Sequence, residues 1–191
     1  ITLIVGENDY DYFTSSVKEY IGCVTSVGPR NYEVATNIKT TELPRVWDRR
    51  VPARYLYGTP TVVASFLRGL YSANGSVCGN RITFKTASFW LMRDVQLMLS
   101  SLGIGSYYTT NQPIIISHNN GSYESKISYD LNITSDRARF LNTIGFIQSY
   151  KTNKVQITST RIKKSFDITH VEYLGDMEVF DITVDNNSHT Y

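Results

Sequence analysis

The run from Thr59 to Gly75, Thr-Pro-Thr-Val-Val-Ala-Ser-Phe-Leu-Arg-Gly-Leu-Tyr-Ser-Ala-Asn-Gly, constrains the fold more than any other part of the chain. Thr59 suits a helix N-cap, Pro60 sits in the first turn, where its missing N–H costs nothing, and Gly75 supplies a stop. Val62, Val63, Phe66, Leu67 and Leu70 recur at helical spacing and predict one apolar face. Gly69 and Ala73, four residues apart, are small residues on one side of this helix, where a second backbone can approach closely.

Beyond this helix, strand and helix patterns alternate. Ser76 to Cys78 and Arg81 to Thr86 predict a strand pair turning at Gly79-Asn80, and Ser88 to Leu102 a second helix ended by Gly103. Strands are expected at Ile104 to Thr110, Ile114 to Ser117 and Tyr123 to Ile133, then a third helix from a Ser135 cap to Gly145. The first 58 residues carry a weaker copy of this order: a strand at Thr2 to Val5, a helix from Asp9 to Tyr20 ended by Gly22, strands at Cys23 to Val27 and Tyr32 to Ile38, and a helical turn at Thr41 to Trp47. Gly22 falls on Gly103 at an offset of about eighty residues, and on that alignment the first copy lacks its opening helix and first strand. The reading is an α+β chain with one complete and one partial repeat.

Charge divides the chain further. Up to Asp136 twelve Lys/Arg face eleven Asp/Glu, from Arg137 to Ser165 there are seven bases and no acid, and from Phe166 onward six acids and no base. A basic stretch of this kind is either a solvated face or a surface for the phosphates of a duplex, with Lys151, Lys154, Arg161, Lys163 and Lys164 as its candidate DNA contacts and Lys85 a further candidate on its strand. The acidic end alternates apolar and polar residues around Gly175-Asp176 and predicts a β-hairpin. With 41% hydrophobic residues the chain has the apolar content to fold, which argues against intrinsic disorder. No apolar run is long enough to span a membrane. Cys23 and Cys78 are far apart and outside any CxxC spacing, so neither a zinc site nor a disulfide framework is expected, and both are read as buried packing residues in a protein of the cytoplasm or nucleus.

Leu67-Arg-Gly-Leu-Tyr-Ser-Ala-Asn-Gly75 resembles the nine-residue signature of the LAGLIDADG, or DOD-type, homing endonucleases. The flanks Arg49-Arg-Val-Pro-Ala-Arg-Tyr-Leu56 and Thr83 to Ile104 resemble the segments on either side of that family's second motif. Val171 to Tyr191 resembles the C-terminal splicing motif of inteins. Together these imply the C-terminal portion of an endonuclease-containing intein: a partial αββαββα repeat at 1–58, a complete repeat with a basic tail at 59–164, and the β-rich C-terminal part of a Hint splicing domain at 165–191.

The resemblance carries expectations for individual residues. Gly69 and Ala73 would pack against a second LAGLIDADG helix. Asn74 holds the position where the family has a metal-binding carboxylate, and Arg50 aligns with a basic residue near the scissile phosphates. Cleavage in the family uses divalent metal, Mg²⁺ or Mn²⁺, and a neutral amide at Asn74 weakens or abolishes that binding. Asp181 and His189 match the proton-handling Asp and His of splicing, which needs no cofactor. The expected partners are double-stranded DNA, an N-terminal intein fragment bearing the first LAGLIDADG helix and the splicing nucleophile, and the flanking host protein. Because the first LAGLIDADG helix, the N-terminal nucleophile and the terminal His-Asn of inteins are not found between Ile1 and Tyr191, the chain alone is expected neither to cut DNA nor to splice, as for a piece left by a natural split intein, proteolysis or truncation. Two other readings share the fold: a DNA-binding module whose catalytic helix has decayed, and an RNA intron maturase, against which the splicing-like tail argues.

Overall fold

The computed structural model describes residues 2–16, 21–28, 31–36, 44–118, 121–157 and 167–178. It divides into a unit of residues 1–160 and a second of 161–191.

In the first unit the strands are β1 (Thr2–Gly6), β2 (Ile21–Gly28), β3 (Asn31–Thr36), β4 (Gly75–Cys78), β5 (Arg81–Thr86), β6 (Tyr107–Asn111), β7 (Ile115–His118), β8 (Gly121–Glu124) and β9 (Ser128–Ile133). The helices are α1 (Glu7–Ser16), α2 (Ala53–Leu56), α3 (Pro60–Asn74), α4 (Phe89–Ser101), α5 (Arg137–Thr143) and α6 (Ser149–Thr152), with a 3₁₀ turn at Val46–Asp48. Strands assemble as β1-β3-β2, β4-β5-β9-β6 and the isolated hairpin β7-β8, all antiparallel.

β5 alternates in burial, whereas β9 buries Leu131, Asn132 and Ile133 in succession and β6 is exposed along its length apart from the half-buried Asn111. Ile82, Phe84 and Thr86 of β5 and Leu131 and Ile133 of β9 are buried, and they meet Val63, Leu67 and Tyr71 of α3, Met92, Val95, Met98 and Leu99 of α4, and Phe140 of α5. Tyr71 is the aromatic centre of this core, 4.9 Å from the Phe140 ring and 5.7 Å from that of Phe84. The opposite face carries Ser76 and Cys78, Arg81, Thr83 and Lys85, Ser128, Asp130 and Asn132, and Tyr107, Thr109 and Asn111, in register across four strands.

Several helix signals read in the sequence have other physical origins. Gly75 ends α3 in extended rather than left-handed backbone, φ −80°, and it must be Gly because a Cβ there would run into the Tyr71 carbonyl. Thr59 and Pro60 open α3, although the Thr59 side chain makes no capping hydrogen bond. Ser88 does cap α4, accepting from Leu91 N–H at 3.1 Å, and Gly103 closes it at φ +69°. The N-cap of α5 is Asp136 rather than Ser135, and its carboxylate accepts instead from Gly105 N–H at 2.7 Å.

Other expectations are corrected outright. The strand expected from Tyr123 to Ile133 is two strands, β8 and β9, parted where Ser125 N–H donates back to the Ile114 carbonyl at 2.8 Å. Gly22 does not end a helix: it lies within β2 at a register shift between Ile21 and Cys23, an extra residue in a β-bulge. Cys78 is exposed at the end of β4, not buried.

The second unit is described over residues 167–178. These residues form no strand and are all exposed, including Ile168, Val171, Tyr173 and Leu174. No strand of the hairpin expected around Gly175 is seen over these residues, and most of its second arm lies outside the described ones. Gly175 has φ +91°, and Tyr173 Oη donates to Asp176 Oδ1 at 3.1 Å. The remainder of that hairpin, with Asp181 and His189, lies outside the described residues, as do Arg161, Lys163 and Lys164.

Candidate functional site

The C-terminal end of α3 is the most elaborated polar feature of the first unit. A helix end leaves carbonyls without intrahelical partners, and here the segment 147–151 supplies them. Lys151 Nζ donates to the carbonyls of Ser72 at 2.6 Å and Gly75 at 2.9 Å, and Gln148 Nε2 donates to the Ser72 carbonyl at 3.0 Å. The Ser72 hydroxyl accepts from Ile147 N–H at 2.8 Å. A cation at this end also complements the helix dipole.

These groups border a cavity of about 360 Å³ lined by Gly69, Ser72, Ala73 and Asn74 of α3, by Ile147, Gln148, Tyr150 and Lys151, and by Ile4, Val5, Asp9 and Tyr12 of the N-terminal elements. Burial holds the Lys151 ammonium below the ordinary lysine value, the Asp9 charge opposes that shift, and Lys154 adds to it. Asp9 Oδ1 and Gln148 Oε1 are shielded from water, and neither meets a hydrogen-bond donor among the described residues. Asn74 and Ala73 are both exposed on the helix.

The structure thus brings Asn74, Ala73, Gly69 and Lys151 to one cavity, while Lys154 stands exposed with its ammonium 5.7 Å from the Tyr150 ring. Not all of the basic stretch is free to meet a ligand. Arg137 is buried and donates to the carbonyls of Asn80, Thr134 and Gln156, and Arg139 donates to the Gly103 carbonyl at 3.0 Å. Lys85 lies on the open sheet face, as its alternation predicts, with Nζ 4.0 Å from Asp130 Oδ1.

Arg50 is committed elsewhere. Its Nε and Nη2 donate to Asp94 Oδ2 and Oδ1 at 2.7 and 2.8 Å, and Val51 N–H donates to Asp94 Oδ2 at 3.0 Å. The guanidinium lies 5.1 Å from the Trp90 ring. Burial alone would raise the Asp94 pKa, but the bonds from Arg50 and Val51 and the Arg50 charge outweigh it and hold the carboxyl below its ordinary value. The same bond raises Arg50. With Ser88 Oγ donating to the Arg49 carbonyl at 2.7 Å, this clamp fastens the 49–51 segment to α4.

Divalent metal does not fit the end of α3 as this chain builds it. Asn74 is neutral, a single carboxylate (Asp9) lines the cavity, and an ammonium stands beside it. Among the described residues no group of three His, Cys, Asp or Glu is placed to hold a metal ion.

A second cavity, of about 610 Å³, runs along the outer side of α3 between Tyr55, Thr61, Val62, Ser65, Phe66, Gly69 and Leu70. The helix therefore has two apolar faces where the spacing suggested one. Val63, Leu67 and Tyr71 point into the core, and Val62, Phe66 and Leu70 line this groove. A Cβ on Gly69 would meet nothing within 4 Å. Sequence reasoning missed Asp9, Asp94, Ser72 and Gln148. Asp94 was visible only as a lone acid in an apolar helix, and the other three carry no local signal.

The chain is 28% identical to a DNA polymerase of Thermococcus litoralis over 86% of its own length, and it spans 11% of that relative's length. Solved structures of mesophilic variants of the homing endonuclease I-DmoI align with 75% of this chain and 74% of theirs, at 17% identity and a TM-score of 0.47. I-DmoI in complex with DNA and Mn aligns over 76% and 80%, at 16% identity and a TM-score of 0.45. Among the described residues no helix is long and apolar enough to cross a membrane. Residues 61–166, more than half of the chain, match the LAGLIDADG-like domain family, and the chain belongs to that family.

Proposed function

We propose that this chain is the C-terminal part of an intein that houses a LAGLIDADG homing endonuclease, and that it binds and cuts a specific DNA duplex once an N-terminal piece completes it. The observation that carries this reading is the surface of α3: the signature helix leaves Gly69 and Ala73 exposed, with Gly69 on the wall of an apolar groove and Ala73 on the cavity at the helix end. A second helix with small residues in register would fill that face. Similarity to a stretch amounting to 11% of a DNA polymerase fits a segment carried within a larger polypeptide.

In the completed assembly the open sheet face meets the major groove, and exposed Lys154 contacts phosphate from the side of the cavity. Arg161, Lys163 and Lys164 would extend that contact. Lys151, fixed on the last carbonyls of α3, holds positive charge where a phosphate oxygen would approach. Its depressed pKa keeps a neutral fraction available at lower pH than for a free lysine. Arg50 serves as a positioning residue for the segment that enters α2. The carboxylate that divalent metal requires comes from the N-terminal piece. Asn74 gives the end of α3 no charged ligand, so this chain would contribute no carboxylate to metal-dependent cleavage. Splicing by the second unit uses Asp181 and His189 with a nucleophile on the N-terminal piece, after which the flanking host segments are joined.

Coexpression with a candidate N-terminal fragment tests the assembly: the two should copurify, and separate elution on size exclusion sinks the reading. Metal titration of the assembled protein, wild type against Asn74→Asp, tests the site. Restored Mn²⁺ binding and duplex cleavage are expected, and no gain from Asp removes Asn74 from the site. Asn74 also favours a second reading, in which the assembly binds its duplex without cutting it.

A further inference from the structure

The cavity at the end of α3 holds a carboxylate that the fold does not need. Asp9 lies in the first turn of α1, where an acid complements the helix dipole, but Glu7 is exposed in the same turn and already supplies that charge. Asp9 lines the cavity of about 360 Å³ instead, and its Oδ1 is shielded from water with no hydrogen-bond donor among the described residues. A carboxylate oxygen hidden in this way destabilises the folded chain. Its role lies outside stability.

The surroundings supply that role. Lys151 is the single base among the lining residues and Asp9 the single acid, so the formal charge of the wall is zero with Asp9 and +1 without it. Burial lowers the Lys151 pKa and the Asp9 charge opposes that shift, while burial and then the Asp9 charge raise Tyr150. The cavity thus contains its own anion beside its cation, and a phosphate entering to meet Lys151 is repelled by the carboxylate already there. The elements that bring Asp9 to this place are lightly fastened. Of the described side chains in α1, β1 and β3, Val5 and Val34 are buried, whereas α3, α4, β5 and β9 share one continuous core. Moving α1 and β1 therefore costs less than moving any element of the complete repeat. We infer that Asp9 is an internal stand-in for a DNA phosphate: α1 and β1 hold its carboxylate in the cavity with Lys151 and exclude a backbone phosphate until they move off the end of α3.

This inference rests on the reading above in which Lys151 meets phosphate, and one experiment separates the two. The full 191-residue chain is titrated into a fluorescent duplex of mixed sequence at low salt, and affinity is read by anisotropy for wild type, Asp9→Asn, Asp9→Glu, Glu7→Gln, Lys151→Gln and the Asp9→Asn/Lys151→Gln double variant. Asp9→Asn should bind about tenfold more tightly than wild type, and Asp9→Glu, which keeps the charge, should bind as wild type does. Glu7→Gln makes the same change of charge outside the cavity and should gain about twofold at most. In the Lys151→Gln background the gain from Asp9→Asn should vanish. Duplex added to wild type should also speed amide exchange in α1 and β1 while α3 stays protected. An equal gain from Glu7→Gln, a gain that survives Lys151→Gln, or slower exchange in α1 overturns the inference and leaves DNA binding standing. Absence of duplex binding in every variant overturns both. Thermal melting checks that each variant is folded, and Asp9→Ser removes the charge a second way if Asp9→Asn is not.

Discussion

The sheets β1-β3-β2 and β5-β9-β6 share one order, and each has a helix, α1 or α4, connecting an outer strand to the opposite outer strand. They differ in what covers them. The second sheet has a fourth strand, β4, and beneath it the apolar side of α3, so that Leu67, Tyr71, Phe84 and Leu131 are lost from solvent together. Of the described residues in the first, Val5 and Val34 are buried, and α1 packs on the sheet through Tyr10 and Tyr32, whose rings lie 4.2 Å apart. The shared strand order follows from strand pairing, and in the second sheet the central helix supplies much of the burial.

The largest effect should come from cutting that cover. Leu67→Ala removes a fully buried side chain under the complete sheet and should cost about 3–4 kcal/mol of global stability, read from denaturant unfolding. Val34→Ala should cost about 2 kcal/mol, felt as faster amide exchange in β1, β2 and β3 with β5 and β9 still protected. If exchange in the two sheets rises together, the contrast is wrong.

Tyr71→Phe should move the other way. The Tyr71 hydroxyl is buried without a hydrogen-bond partner among the described residues, and burial raises its pKa far above the ordinary value, so the neutral ring alone is tolerated. Removing the oxygen should stabilise the complete repeat by about 1 kcal/mol. It should also flatten the loss of stability above pH 10, which arises because the unfolded chain ionises there and the folded one does not.

Gly69→Ala sharpens the comparison at the helix surface. With open space around the new methyl and a better helix former in place, the isolated chain should gain up to about 1 kcal/mol. Association with an N-terminal piece, measured by titration calorimetry, should weaken.

The smallest effect is acid dependence at the clamp. The Asp94 pKa is lowered in the folded chain, so its contribution is present above the ordinary carboxylate range and fades as pH falls below about 4. Asp94→Asn should flatten the acid limb of a stability profile without shifting the limb near neutrality. An unchanged acid limb would show that Arg50 and Asp94 do not act as a unit.

Much of the complete repeat was legible because its period signals were strong. α3, α4, β4 and β5 stand within a residue or two of where capping residues and alternation put them. Ser135, Gly22 and the unbroken strand to Ile133 misled for one reason: each is a local signal overridden by a distant partner. Gly105 takes the α5 cap, β3 turns Gly22 into a bulge, and Ile114 pulls Ser125 out of line. Asn74, singled out by its motif, lines the cavity at the end of α3, whereas Asp9, Gln148 and Ser72 reach the same cavity only through tertiary packing. Arg50 was singled out by its alignment with the family motif, whereas its bidentate bond to Asp94 arises only through the fold.

Gly75 is at once the residue that stops α3 and the first residue of β4, with no room for a side chain against Tyr71. The joint between signature helix and sheet edge therefore has no slack. A tilt imposed on α3 by whatever docks along its outer side is carried as leverage into β4 and β5 rather than absorbed by a loop, and the surface that meets the ligand moves with it.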